Sequence, residues 1–100
     1  KGNYEEANNI LKGVVDNISD DALLSTKTEA YIQLGEIAIS NKNFDQAIDY
    51  LNLANQTNET NNNDFQLTKR IYKLLSTTYE KNKNISSSNF YLKKYVTLTD

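Results

Sequence analysis

Tyr31-Ile32-Gln33-Leu34-Gly35-Glu36-Ile37-Ala38, followed by Asn43-Phe44-Asp45-Gln46-Ala47-x3-Leu51-x2-Ala54, is the stretch on which the reading of this chain turns. Both halves return downstream. Tyr72-x2-Leu75-Ser76-x2-Tyr79 repeats the first, and Asn84-Ile85-Ser86-Ser87-Ser88-x3-Leu92-x2-Tyr95 repeats the second. The step from Tyr31 to Tyr72 equals the step from Asn43 to Asn84. The second half also has an upstream copy, Asn3-Tyr4-Glu5-Glu6-Ala7-x3-Leu11-x2-Val14, set back by almost the same step. Self-similarity at one spacing in two registers marks a repeat architecture, in which each unit buries its apolar face against the next.

Within each copy the apolar residues keep helical spacing. Leu67, Ile71, Leu74, Leu75 and Thr78 form one stripe, and Tyr31, Leu34, Ile37 and Ala38 form another. The pattern predicts helices over 4–18, 22–40, 44–57, 65–82 and 86–98. Asn3 with Glu6 and Asn43 with Gln46 stand at capping-box spacing, each side chain expected on the other residue's backbone N–H. Asp20 and Asp21 suit the positive end of the second helix. The short links at 41–43 and 82–84 imply antiparallel helical hairpins. Asn58 to Asp64, reading NETNNND, is expected to be a solvated loop with nothing to bury.

The chain of 100 residues is large enough for one small domain, and its net charge of −2 offers no basic field for phosphates. Neither nucleic acid nor a membrane is expected as a partner. Cys and His are both absent, which removes thiol and imidazole catalysis, disulfides and most zinc or haem ligand sets. No catalytic residue, metal or cofactor is expected. The bias of 15 Asn in the composition fits an AT-rich genome. The start at Lys1-Gly2-Asn3, inside a repeat, reads as a piece of a longer protein, with half a repeat over 1–20 and whole ones over 21–60 and 61–100.

These motifs resemble the tetratricopeptide repeat family, whose pattern of aromatic, Leu-Gly, aromatic, Ala and large apolar residues is matched best by Tyr31, Leu34, Gly35, Ala38, Ala47, Leu51 and Ala54. The third unit keeps Tyr72, Leu75, Tyr79 and Leu92, with Ser76 in place of Gly and Ser88 in place of Ala. The resemblance implies an all-α, right-handed solenoid of about five helices. It assigns packing roles to those residues and to Ala7 and Leu11. The period is longer than the family's usual one, which implies longer helices or loops, and the closing Pro is missing. The ending Tyr91-Leu92-Lys93-Lys94-Tyr95-x2-Leu98-x-Asp100 is similar to repeats in Bacteroidetes-type sensor histidine kinases and transcriptional regulators. The long period also resembles Gram-positive peptide-pheromone receptors.

The paired carboxylates Glu5-Glu6 and Asp20-Asp21 fall in first helical turns, where capping and the helix dipole account for them. The 58–64 segment lacks the spacing and final Glu of a calcium loop. Gly2, Gly13 and Gly35 are too scattered to form a phosphate loop. Asn-x-Ser/Thr sequons begin at Asn17, Asn55, Asn58 and Asn84, as this composition would produce by chance. Tyr31, Tyr72 and Tyr79 occupy packing positions, so core is preferred to base stacking for them.

In the family's geometry the first helix of each pair lines a concave face. Phased on Gly35 and Ser76, that face offers Glu29, Ile32, Gln33, Glu36 and Ile39 from one helix and Arg70, Lys73, Leu74, Thr77 and Glu80 from the next. Two readings stand side by side: a ladder of salt bridges between helices, each worth about 0 to 1 kcal/mol when exposed, or a ligand face. The family's carboxylate clamp is not expected, because Glu36 and Thr77 occupy places that would want amides. The function implied is a non-catalytic module binding a protein or peptide, in a sensory or scaffolding part of a bacterial, cytoplasmic signalling protein. The alternatives are a spacer that positions a kinase or DNA-binding domain, or a pheromone receptor. The first helix, lacking its preceding partner, is expected to self-associate or fray.

Overall fold

The computed structural model describes residues 2–17, 24–60 and 64–99, and among these every regular element is a helix. They are α1 (Gly2–Asn17), α2 (Leu24–Ser40), α3 (Phe44–Thr60), α4 (Phe65–Lys81) and α5 (Ile85–Thr99). The three central helices are 17 residues each, so the long repeat period is taken up chiefly by helix length. Consecutive helices pack on one another and α2 also touches α4. The Cα envelope of 34 × 34 × 16 Å is a slab about two helices thick.

Two turns of the same design close the hairpins. Lys42 and Lys83 take left-handed backbone conformations, with φ of 61° and 64°. The N–H of Asn43 donates to the Ala38 carbonyl at 2.8 Å, and the N–H of Asn84 to the Tyr79 carbonyl at 2.8 Å. With Lys42 N–H on Ile39 and Lys83 N–H on Glu80, these are two Schellman endings. The Asn43 N–H is therefore already committed to Ala38, and the expected Asn43–Gln46 capping box does not form. Instead Asn43 Nδ2 donates to Gln46 Oε1 at 3.0 Å. Asn84 does cap, its Oδ1 accepting from the Ser87 N–H at 3.2 Å. Asp20, Asp21 and the side chain of Asn3 lie outside the described residues.

Gly35 sits at a close approach within the first hairpin. A Cβ there would sit 3.0 Å from both Cγ and Cδ2 of Leu51. The second hairpin meets across Ser76 and Ser88, whose buried hydroxyls lie 3.3 Å apart. The main core joins Ile32, Leu51 and Ala54 to Leu67, Ile71 and Leu75, with Tyr31, Ile48, Tyr72, Leu74, Tyr79 and Tyr91 packed against it. A smaller cluster of Val15, Ala30 and Leu34 seats α1, with Leu11 and Val14 half-buried beside it. Ile10 remains 62% exposed.

The expectation of a solvated 58–64 loop is wrong at both ends. Asn58, Glu59 and Thr60 are the last turn of α3, and Asn58 is fully buried. Its Nδ2 donates to Thr68 Oγ1 at 2.8 Å and to the Asp64 carbonyl at 3.2 Å, while its Oδ1 accepts from the Asp64 N–H at 3.0 Å. Asp64 in turn caps α4, accepting from the N–H groups of Gln66 and Leu67. A buried amide with donor and acceptor both used is stable where a lone polar group would not be. Asn61, Asn62 and Asn63 lie outside the described residues.

Candidate functional site

α2 and α4 lie side by side and present an acidic row next to a basic one. Glu29, Gln33 and Glu36 project from α2, and Gln66, Lys69, Arg70 and Lys73 from α4. Glu29, Lys69, Arg70, Lys73 and Tyr95 surround a shallow hollow of about 410 Å³, while Gln33, Glu36 and Arg70 border a neighbouring one with Ala7 and Leu11. Arg70 Nη2 lies 3.6 Å from Glu36 Oε1, with both side chains 43% exposed. This is the only ion pair among the described residues. The ladder reading thus holds for one rung, between Glu36 and Arg70, and not for Glu29 or Lys73.

Helical phase decides which residues of the expected face reach the surface. A step of three residues turns a helix by about 300°, so Ile32 lies only about 60° from Gly35 and points into the stack. Accordingly Ile32 is fully buried in the core, and its expected role as an apolar groove contact is withdrawn. Leu74 is likewise half-buried against the core rather than offered to a ligand. Glu29, Gln33 and Glu36 lie roughly 100° or more from Gly35 around α2 and do reach the surface. Lys73 has the phase of Ile32 and escapes burial only because no described helix lies over it. Thr77 and Glu80 stand beyond it, beside the α4/α5 crossing.

Of the expected packing residues, Leu34, Gly35, Ala38, Ala47, Leu51, Ala54, Leu75 and Ser88 are buried. Ala7, Leu11, Tyr31, Tyr72 and Tyr79 are half-buried. Leu92 is a correction: it is 47% exposed, because α5 touches α4 alone. Sequence reasoning does not place Tyr95 or Lys69 on this surface. The signal for them is their position along the α4–α5 hairpin, where Lys73 Nζ lies 5.8 Å from the Tyr95 ring centroid and Lys69 Nζ 5.3 Å from that of Phe65.

The tyrosines act as packing groups. Tyr79 and Tyr91 stack with centroids 5.8 Å apart, and Tyr72 tilts against Tyr91 at the same distance. Burial pushes the Tyr72 phenol above its ordinary pKa, with Glu59 adding to the effect. Tyr91 is raised first by burial, then by Tyr79, Tyr72 and Glu59, and Tyr31 by burial, Asp16 and Tyr50. Among the sequon asparagines, Asn58 and Asn84 are engaged in structure as described, and Asn55 is half-buried with Nδ2 on Glu59 at 3.4 Å. The side chain of Asn17 lies outside the described residues. The described residues bring no three metal-ligating side chains together, and no described helix is long and apolar enough to cross a membrane.

Stacked antiparallel hairpins with small residues at the crossings and an exposed polar row on successive first helices define a helical-repeat protein. Residues 28–61 match the family model described as tetratricopeptide repeat. No curated protein and no solved structure matches the chain. Repeats of this family generally mediate contacts between proteins.

Proposed function

We propose that this region is a non-catalytic peptide-binding module, and that its ligand lies along the α2–α4 surface in contact with Glu29, Gln33, Glu36 and Arg70, with Lys73 and Thr77 at the far edge. The observation that carries this reading is the pairing of rows of opposite charge, exposed and joined by only one ion pair among the described residues. Such a surface would orient an extended or helical peptide, with electrostatics contributing to specificity and association rate more than to affinity. A sensory or scaffolding role in a bacterial signalling protein is the setting we favour, on the resemblance of the repeat ending over 91–100.

The test is an exchange of the one ion pair. Peptides would be selected from a random display library on the wild-type chain and measured by calorimetry against the double variant Glu36→Arg with Arg70→Glu. Net charge and the ion pair are preserved, so the helical signal should persist. Affinity should fall at least about tenfold, or about 1.4 kcal/mol. Unchanged affinity, or a library that yields no binder, would favour the spacer reading.

A further inference from the structure

The side of the stack opposite the α2–α4 surface carries a second group of side chains, between α3 and α5. Two residues turn a helix by about 200°, so Tyr72 lies across α4 from Arg70. From α5, Tyr91 packs on Tyr72 and Tyr79, and Phe90 meets Tyr91 edge-on with centroids 5.0 Å apart. Lys94 Nζ is held over two of these rings, 5.6 Å from the Tyr72 centroid and 5.0 Å from that of Phe90. Asn55 and Glu59 come from α3. Asn55 Nδ2 donates to Glu59 Oε2 at 3.4 Å, while Asn55 Oδ1 is buried without a hydrogen-bond partner. The Glu59 carboxylate is close enough to raise both the Tyr72 and the Tyr91 phenol.

Repeat packing does not require these residues. The matched positions one repeat earlier hold Leu53 for Lys94, Asp49 for Phe90 and, on α1, Val15 for Asn55. Val15 is buried against Ala30 and Leu34, so an apolar side chain suffices there. Nor does continuation of the stack cover this side. A whole repeat follows α3, yet Asp49 and Leu53 remain exposed. Phe90 and Lys94 are each two residues from Leu92, so they face away from the side of α5 that a further repeat would meet. An occupant therefore comes from outside the stack.

Aromatic faces, a carboxylate and an unpartnered amide oxygen form a recognition set for a cation that also donates hydrogen bonds. Lys94 satisfies half of it. Its ammonium lies over the rings but makes no ion pair with Glu59, and the Asn55 oxygen stays unpartnered. A guanidinium does both at once, since its face stacks on a ring while its coplanar N–H groups reach acceptors at its edge. Seating it requires Lys94 to swing out and the Asn55 amide to turn. Both are weakly held, because Lys94 is exposed and the Asn55 amide has one long contact. We infer that the α3/α5 groove binds an arginine side chain of a partner protein, stacked on Tyr72 and Phe90 and paired with Glu59, in the place where Lys94 now lies. This site is independent of the α2–α4 reading.

The test titrates acetyl-Gly-Gly-Arg-Gly-Gly-amide, and the same peptide with citrulline in place of arginine, into the isotope-labelled 100-residue chain. Amide shifts should move over 55–59 and 87–94, and the arginine peptide should bind at least about fivefold more tightly than its uncharged analogue. Glu59→Gln should remove that preference. Lys94→Gln should tighten the arginine peptide at least about threefold by vacating the rings, whereas Lys93→Gln, which removes the same charge one residue away, should change it little. All three positions are exposed, so the variants keep the fold, which their amide spectra verify. Equal binding of the two peptides overturns the inference. Equal gains from Lys93→Gln and Lys94→Gln do so as well, because net charge alone would then account for them. Shifts confined to 29–36 overturn it by placing the arginine on the acidic row of α2, an outcome that supports the α2–α4 surface instead.

Discussion

The α2/α3 and α4/α5 hairpins carry the same repeat and close with the same Schellman turn, yet one is core and the other is surface. Leu51 lies against Gly35 and is fully buried, while its counterpart Leu92, at a crossing built from Ser76 and Ser88, is 47% exposed. The difference teaches that repeat position alone does not bury a residue. A third helix has to lie over the hairpin, and α4 does so for the first and nothing among the described residues does so for the second.

The largest expected effect tests that contrast directly. Leu51→Ala removes a fully buried side chain from the main core and should cost about 2 to 5 kcal/mol. Leu92→Ala at the matched position should cost less than about 1.5 kcal/mol, because roughly half the side chain is already in water. Urea unfolding of the two variants gives both numbers. Equal losses would mean that the hairpins are packed alike and that the contrast is mistaken.

Next in size is Asn58, which ties the end of α3 to the start of α4. Asn58→Ala leaves the Asp64 N–H without its side-chain partner, while the Asp64 carbonyl keeps the N–H and hydroxyl of Thr68, and should cost about 1 to 3 kcal/mol. If thermal melting shifts no more than for a substitution at exposed Asn41 or Asn89 in the same host, the network contributes shape and not stability.

Much of this is legible from the chain alone. Five helices, two hairpins and the small residues at the crossings follow from spacing, because helical period and close packing are local properties of Tyr31, Leu34, Gly35, Ala47 and their copies. The misreadings share a cause in what lies across from a residue. Asn58 sits in a polar run that reads as loop, and only Thr68 and Asp64, folded back against it, make it a buried donor and acceptor. Ile32 reads as a ligand contact although it is nearly in phase with Gly35. Leu92 follows the packing pattern, but the helix that would cover it is not part of the pattern. On the candidate surface, charge and spacing point to Glu29, Glu36 and Arg70, whereas Tyr95 enters only because α5 packs on α4.

A smaller effect should be the same in both hairpins. Lys42 and Lys83 hold left-handed conformations that glycine adopts without the clash of a Cβ. Lys42→Gly and Lys83→Gly should each stabilise by roughly 0.5 to 1 kcal/mol, the relief of backbone strain exceeding the entropy of a more flexible unfolded chain. Matching increases in melting temperature would show that the turns are equivalent even where the faces are not. A gain at one turn only would place part of the asymmetry in the backbone.

The smallest expected effect separates the hairpins by pH. In the second, Tyr91 stacks on Tyr79 and tilts against Tyr72, and its phenol is raised by burial first and by Tyr79, Tyr72 and Glu59 after that. A folded pKa above the unfolded value means that the native state holds its proton more tightly than the unfolded chain does. The contribution is therefore fully present below the ordinary tyrosine pKa of about 10, and it is lost as pH rises through the folded value. Stability should decline in that alkaline window, and Tyr91→Phe should flatten the decline after allowance for its constant effect at neutral pH. Denaturant midpoints for both proteins at about pH 7 and just above about pH 10 decide the matter. If Tyr91→Phe shows the same alkaline loss as wild type, the titrating group lies elsewhere. Tyr31, raised by burial and by Asp16 and Tyr50 in the first hairpin, would then be the next to change.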